Sequence, residues 1–281
     1  MKENLLRKLA ENPLIADEDK DKVKRLLEVS SRVEFGKIAP RQEGYIFDRY
    51  KLPRCTSVLQ MDGSKAGGLM EWAKRQVAGR IEITLTDFLT NNSVITYGDI
   101  MRACELGLAD PDKQKDEAAD KGTEAHDNIE NFLMGTDYVE CDSLSRFREA
   151  WKASGFCVVG TEIPVIWHDE EGHGFGGRLD ILCYKDGKFY IGDNKTSRSI
   201  HESYGCQIAA YGAAVEQMSN GAIKIAGGTI FHIPDVSSLN ARQKKEYEKR
   251  GSLVQLKNLE EAFEHYKLLL GLYYKRTNKY F

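Results

Sequence analysis

The sequence predicts an α/β protein in which helices flank a central mixed β-sheet and a large helical segment comes first. Residues 64–155 repeat apolar side chains at helical spacing, with polar turns between the helices. After residue 155, short runs rich in β-branched and aromatic residues alternate with helical patterns and are bounded by Gly, Asp or Pro. We therefore expect a mainly helical N-terminal or cap region over residues 1–155 and a strand-rich core over residues 156–281, integrated into one domain.

The order of the elements follows from the same spacing. Residues 3–30 form a helical pattern with a break near Pro13, and the pattern weakens from there to about residue 55. The last helix begins near Asn258, whose side chain can cap it while Glu261 supplies the reciprocal contact. The other predicted helices are Leu69–Ala78, Tyr97–Leu106, Glu117–Met134, Ser143–Ser154 and His201–Met218. The predicted strands are Phe156–Trp167, Arg178–Tyr184, Lys188–Asn194, Gly228–Ile233 and Leu253–Leu256.

Composition restricts the class of protein. With 41% hydrophobic and 30% charged residues, the chain has the content of a folded globular protein rather than a disordered one. Residues 1–20 mix Leu with charged residues and contain no long apolar run, so we expect no signal peptide, no membrane partner and a cytoplasmic location. The six cysteines include no CxxC pair, which favours reduced thiols over disulfides or a structural zinc site.

The charge balance requires that any site for nucleic acid be local. The formal net charge is -3, so no overall basic field attracts a polyanion. Six basic residues in two groups are candidates for a local contact: Lys74, Arg75 and Arg80, and then Arg178, Lys195 and Arg198.

One dipeptide fixes the register of the central hairpin. Asp186-Gly187, between two strand patterns, predicts a two-residue type I′ turn, because both central residues of that turn need positive φ. Asp180 then lies opposite Asp193. Because side chains alternate along a strand, Asp180, Leu182 and Tyr184 share one face with Phe189, Ile191 and Asp193, and Lys195 continues that face. The predicted pairs are Lys185–Lys188, Tyr184–Phe189, Leu182–Ile191, Asp180–Asp193 and Arg178–Lys195.

Two facing carboxylates at the edge of an apolar surface need a positive partner. Like charges across a ladder destabilise it, and partial burial adds a desolvation cost. A divalent cation fits, with Lys195 as the nearby permanent charge. Oxygen ligands favour Mg²⁺ or Mn²⁺, and a cation with a lysine ammonium suits phosphodiester hydrolysis. The alternative is a surface hairpin whose charges are only solvated, since D-x-K triplets are common.

Three motifs then occur in order along the chain: Gly177-Arg-Leu-Asp180, Asp193-Asn-Lys195-Thr and Gln207-Ile-Ala-Ala-Tyr211. Together they resemble the RecB-type nuclease branch of the PD-(D/E)XK superfamily. The resemblance implies a restriction-endonuclease-like core in which both aspartates bind metal and the lysine is catalytic. It also implies that the Gln and Tyr, which share a helical face, lie near DNA.

Upstream segments extend the resemblance. Lys121-Gly-Thr-Glu-Ala-His126 is similar to the segment that supplies a histidine ligand in this branch, and Cys55-Thr-Ser-Val-Leu59 is similar to a serine-bearing segment of phage-type and mitochondrial exonucleases. The implied catalytic residues are Asp180, Asp193 and Lys195. The implied metal ligands are His126, Asp180, Asp193 and the backbone carbonyl of Asn194. The implied DNA-binding or supporting residues are Gln207, Tyr211, Glu162, Glu130, Ser57, Thr196, Arg198 and Arg178.

On this resemblance we expect a metal-dependent DNA exonuclease that acts from single-stranded ends. We expect it to work in DNA repair or recombination. Its cofactor would be Mg²⁺ or Mn²⁺, its main partner DNA, and a recombination or replication protein a further partner. We expect no iron–sulfur cluster, because the three C-terminal cysteines of related nucleases are missing and the last cysteine is Cys206. We expect no nucleotide, because the chain has no phosphate-binding loop motif, and Gly172-x-Gly174-x-x-Gly177 precedes a strand instead of opening a helix.

Several alternatives remain open at this point. The chain could be a catalytically idle DNA-binding or assembly module of the same fold, an endonuclease, or a metallohydrolase that uses His126 and Glu130 on a small substrate. The exonuclease hypothesis adds that the helical block covers the metal site and leaves a passage for a free strand end. Residues that would grip the strand there are Lys74, Arg75, Arg178 and Trp72.

Overall fold

The computed structural model describes residues 2–91, 94–256 and 258–277, with side chains described from residue 6 onward and not for residues 64–66. The helices are α1 (Lys2–Glu11), α2 (Asp17–Ser30), α3 (Cys55–Leu59), α4 (Ser64–Asn91), α5 (Tyr97–Met134), α6 (Asp142–Ser154), α7 (Glu202–Met218), α8 (Ala241–Arg250) and α9 (Leu259–Thr277). The strands are β1 (Glu34–Ala39), β2 (Gln42–Phe47), β3 (Tyr50–Pro53), β4 (Cys157–His168), β5 (Gly174–Lys185), β6 (Lys188–Lys195), β7 (Ile225–His232) and β8 (Leu253–Gln255).

The chain divides into two compact units. One comprises Met1–Met61 and Ala125–Phe281, and the other comprises Asp62–Glu124. The second unit consists of α4 and the first part of α5. Within it the two helices pack closely at Gly107, where an added Cβ would press on Ile81.

The main sheet of the first unit has five strands in the order β4-β5-β6-β7-β8. The β4–β5, β5–β6 and β7–β8 pairs are antiparallel, and the β6–β7 pair is parallel. A parallel pair needs a crossover connection, which α7 provides. The prediction of an α/β protein with a mixed sheet flanked by helices is therefore confirmed.

Apolar side chains cover both faces of this sheet. Leu182, Tyr184, Phe189 and Ile191 are buried in one cluster together with side chains of α7 and α9, which confirms the apolar part of the predicted shared face. A second cluster joins the intervening residues, among them Ile181, to α6. Burial on both faces fixes the strands, because a one-residue slip would reverse every side chain.

The hairpin between β5 and β6 has the predicted turn and register. Asp186 and Gly187 have φ of 50° and 75°. The pairs Lys185–Lys188, Tyr184–Phe189 and Leu182–Ile191 form as expected, and the ladder ends at Ile181–Gly192. The two predicted pairs further out, Asp180–Asp193 and Arg178–Lys195, are therefore not ladder pairs. Here β5 continues alongside β4, while β6 continues alongside β7.

A three-stranded antiparallel sheet, in the order β1-β2-β3, occupies residues 34–53. The sequence showed only a weakened helical pattern there, because the strands are short and their turns lack the Asn-Gly or Asp-Gly signature. The sheet packs on the main sheet through the buried Leu52 and the half-buried Tyr45.

The structure corrects one expectation in the helical region. Tyr97–Leu106 and Glu117–Met134 were predicted as separate helices, but they belong to the single helix α5, which continues through Pro111. The residues between them are mostly exposed, so they carry no apolar spacing that periodicity could detect. Among the described residues, no helix is both long and apolar enough to cross a bilayer. All six cysteines lie in the described ranges, and none of them forms a disulfide.

The hairpin turn gives a stability prediction. At Gly187 and at Gly271 in α9, an added Cβ would meet no described atom within 4 Å. Substitution by alanine therefore changes only the conformational preference of the backbone at these two positions. We expect Gly187→Ala to lower the free energy of unfolding by about 1–2 kcal/mol, because L-residues disfavour positive φ. We expect Gly271→Ala to raise it by about 0.5–1 kcal/mol, because alanine favours helix. Urea denaturation measures both changes, and an unchanged Gly187→Ala protein would contradict the type I′ turn.

Candidate metal centre

Three side chains from three elements form a cluster suited to a cation. His126 of α5, Glu162 of β4 and Asp180 of β5 each offer a ligand atom, and these atoms all lie within 4.8 Å of one another. His126 Nδ1 is 3.6 Å from Asp180 Oδ2. All three residues belong to the larger compact unit. Among the described residues, this is the group of three or more His, Cys, Asp or Glu side chains that lie close enough together to hold a metal ion.

The backbone is strained where Glu162 enters the cluster. Its neighbours Thr161 and Ile163 pair with Ile181 and Leu179, which sets Glu162 opposite Asp180. Yet Glu162 has a φ of 49°, within a strand. Non-glycine residues adopt this conformation at a cost of about 1–3 kcal/mol, and such strain concentrates at functional sites.

The cluster carries an excess of negative charge. Burial, together with the nearby Asp180 and Glu130 carboxylates, raises the pKa of Glu162 to about 7. Arg178 opposes this effect, with Nη1 3.6 Å from Glu162 Oε2, but its side chain is largely exposed. Since each carboxylate disfavours ionisation of the next, a bound cation would relieve the repulsion.

Asp193 and Lys195 form an ion pair at the end of β6. Lys195 Nζ lies 2.6 Å from Asp193 Oδ2, and the Asp193 side chain is 1% exposed. Burial raises the pKa of Asp193, which Lys195 counteracts. Burial also lowers the pKa of Lys195, but the Asp193 and Asp180 carboxylates outweigh it and the net shift is upward. Lys195 is therefore a half-buried ammonium group that is charged at neutral pH.

The donor set fits a hard divalent cation. Two carboxylates and an imidazole provide oxygen and nitrogen ligands, the types that such ions accept. Among the described residues, three buried side-chain oxygens near the cluster have no hydrogen-bond partner: Oδ1 and Oδ2 of Asp193 and Oδ1 of Asn194. The Asp193 carboxylate does form the ion pair with Lys195. Burying such groups unpaired costs about 1–3 kcal/mol each, so a further partner at this position would stabilise the fold.

The predicted ligands are therefore distributed differently from the expectation. His126 and Asp180 lie in the cluster together with Glu162, which the sequence marked only as a supporting residue. Asp193 lies outside this group and pairs with Lys195. The backbone N–H of Asn194 donates to Asp180 Oδ2 at 2.9 Å, which fixes that carboxylate beside the end of the ladder.

Helix α7 supplies a wall beside the ion pair. Gln207 and Tyr211 are both buried, and the Gln207 amide donates to the Tyr211 hydroxyl at 3.3 Å. Gly177 permits this packing, because a Cβ there would overlap the Tyr211 ring. Tyr204 was not among the predicted site residues, yet its ring centroid is 5.0 Å from Lys195 Nζ. Its spacing of three residues before Gln207 on the same helix could have indicated it.

The remaining predicted residues lie in varied surroundings. Glu130, one turn beyond His126, accepts a hydrogen bond from Thr161 Oγ1 at 3.2 Å. Thr196 and Arg198 follow β6, the first half-buried and the second exposed. Ser57 lies on α3 and lines a separate cleft. The candidate gripping residues Trp72, Lys74 and Arg75 lie on α4 in the smaller compact unit, as does the basic candidate Arg80.

No protein-family model matches this chain, and no curated protein shows significant sequence similarity to it. The chemistry of the cluster must therefore be argued from its own geometry.

The cluster predicts which side chains control metal binding. Mn²⁺ should raise the melting temperature of the wild type, since binding at 100 times the dissociation constant stabilises by about 2.7 kcal/mol. We expect the shift to be largely lost in His126→Ala, Glu162→Gln and Asp180→Asn. Glu170→Gln, which removes an exposed charge elsewhere, is the matched control and should keep the full shift. An undiminished shift in Glu162→Gln would show that Glu162 is not a ligand.

Proposed function

We propose that this protein is a metal-dependent DNA exonuclease that hydrolyses phosphodiester bonds from single-stranded ends. We further propose that its sheet is a restriction-endonuclease-like core of the PD-(D/E)XK superfamily, in the RecB-type branch, and that it acts in DNA repair or recombination. The observation that carries the proposal is the convergence of His126, Glu162 and Asp180 beside the Asp193–Lys195 ion pair. Four separate segments of the chain supply these groups.

The order of the motifs supports the same reaction. The metal-ligand candidate Asp180 and the D-x-K triplet lie on the adjacent strands β5 and β6, and the Gln207–Tyr211 pair lies on the helix that follows. A chance D-x-K triplet on a solvated hairpin would be exposed, whereas Asp193 is buried and the Lys195 side chain is only 16% exposed. Burial of a lysine next to two carboxylates is costly without a role that uses its charge.

In the proposed reaction, a bound Mg²⁺ or Mn²⁺ would act as a Lewis acid on the phosphate and make the attacking water more acidic. His126, Glu162 and Asp180 would hold the ion. Asp180 and Asp193 are the first residues of β5 and β6 beyond the end of their shared ladder, and Asp193 would contribute a further oxygen ligand. The hydrogen bond from the Asn194 N–H would keep Asp180 in its orientation.

Lys195 would stabilise the negative charge that grows on the phosphate oxygens. Its ammonium group is held by Asp193 and by the face of the Tyr204 ring, so little reorganisation is needed during the reaction. A fixed charge in a water-poor site interacts with the transition state more strongly than with the ground state. Glu130, which the small-substrate alternative pairs with His126, accepts a hydrogen bond from Thr161 and is not one of the three clustered ligand residues, which favours the nuclease proposal.

The role of Lys195 predicts that binding and catalysis separate. Lys195→Ala should lose about two to three powers of ten in the rate of DNA hydrolysis, as is typical for removal of one such donor. It should keep the Mn²⁺-induced melting shift. Lys188→Ala removes an exposed lysine from the same hairpin and is the control, with near-normal turnover expected. Single-turnover digestion of end-labelled DNA measures the rate, and normal turnover of Lys195→Ala would make the residue structural.

Exonuclease action predicts a requirement for a free end. The expectation rests on the sequence, in which a helical unit, Asp62–Glu124, is inserted directly before the His126 segment. With Mg²⁺ present, linear single-stranded DNA should be degraded, while a closed circle of the same sequence should stay intact. The same circle opened by one cut is the control. Rapid cutting of the closed circle would instead identify an endonuclease.

A further inference from the structure

The small sheet β1-β2-β3 presents one face that the metal centre does not use. Phe35 pairs with Tyr45, Lys37 pairs with Glu43, and Tyr45 pairs with Leu52. Directly paired residues lie on the same side of a sheet, and residues two apart along a strand share that side. These side chains therefore share a face, whose inner end packs on the main sheet through Leu52 and whose outer end is open.

Aromatic rings and a guanidinium group lie together at the outer end of this face. Phe35 is 48% exposed, although it is a large apolar residue. Its ring centroid is 5.3 Å from that of Tyr45, in an edge-to-face arrangement. Arg54 Cζ lies 4.7 Å from the centroid of the Phe35 ring. Such rings combined with arginine are what unpaired bases stack on.

The adjoining cleft concentrates positive charge. It has a volume of about 490 Å³, and Lys37, Arg41, Arg54 and Ser57 are among its lining residues. Glu43, the acidic residue of the lining, is ion-paired with Arg54. The surplus of cations here contrasts with the net charge of -3 of the whole chain. This is the local basic patch that a nucleic-acid site in an acidic protein requires.

The face continues toward the metal centre. Arg54 forms a backbone bridge with Gly176 of β5, and a Cβ on Gly176 would overlap the Tyr45 side chain. Two residues further along β5, Arg178 lies 3.6 Å from Glu162 of the metal cluster. The positive charges of Arg178 and Arg54 both oppose the rise that burial causes in the pKa of the Tyr45 hydroxyl.

We infer that Phe35, Tyr45 and Arg54, together with Lys37 and Arg41, form a platform that binds single-stranded DNA and directs it to the metal centre. This inference rests on the proposed nuclease function and names the surface that binds its substrate. Unpaired bases would stack on the rings, while the cations of the cleft contact phosphates. A duplex keeps its bases stacked on one another, so the aromatic part of the platform selects single strands.

The test measures binding without cleavage. Fluorescence anisotropy of a labelled oligothymidylate in EDTA gives the dissociation constant of each variant. Phe35→Ala should weaken binding by about 5-fold to 150-fold, the range for loss of one base–aromatic stack. Lys37→Ala should reduce the salt dependence, with the slope of log affinity against log salt less steep by about 0.7. The matched control is Lys51→Ala, an exposed lysine on the opposite face of the same sheet, which should bind like the wild type.

The outcomes separate this inference from the proposed function. Unchanged binding by both Phe35→Ala and Lys37→Ala, or an equal loss in Lys51→Ala, would overturn the platform even if the wild type digests DNA. Weakened binding in the two variants but not in the control would support the platform. If that pattern appeared while the wild type failed to cut DNA in Mg²⁺, the nuclease function alone would be refuted.

Discussion

The proposed site depends on an excess of buried negative charge at one end of the main sheet. Glu162 and Asp180 meet where the β5–β6 ladder stops, and Asp193, whose charge Lys195 neutralises, lies just beyond that point on β6. Carboxylates in such surroundings either take up protons or bind a cation, because their mutual repulsion is weakly screened. The charge that would weaken an isolated hairpin is thus what would hold a metal ion.

The fold creates this convergence by separating two strands. Up to Ile181 and Gly192, β5 and β6 pair with each other, and beyond that point each continues with its outer neighbour. The opening leaves the Asn194 N–H free of the ladder, and Asp180 accepts it. The positive φ of Glu162 directs a third strand residue toward the same opening. Burial of the strands on both faces supplies the stability that such local strain consumes.

Part of the site could be read from the sequence, since short-range rules determine it. Asp186-Gly187 fixed the hairpin register, and alternation along the strands gave the buried face of Leu182 and Ile191. The strain at Glu162 could not be read, because positive φ in a strand residue results from tertiary packing rather than local preference. The sheet β1-β2-β3 was missed for a related reason, as its short strands are stabilised by packing on the main sheet. For helix α5 the sequence predicted a break that does not exist, because Pro111 and an exposed stretch concealed one continuous helix.

Anomalous diffraction from crystals grown with Mn²⁺ tests the central claim most directly, because it locates the ion independently of any activity. We expect one strong anomalous peak bounded by His126 and by the Glu162 and Asp180 carboxylates, next to the Asp193–Lys195 pair. No peak at this position at saturating Mn²⁺, or a peak only at unrelated surface carboxylates, would contradict the metal centre and with it the proposed chemistry.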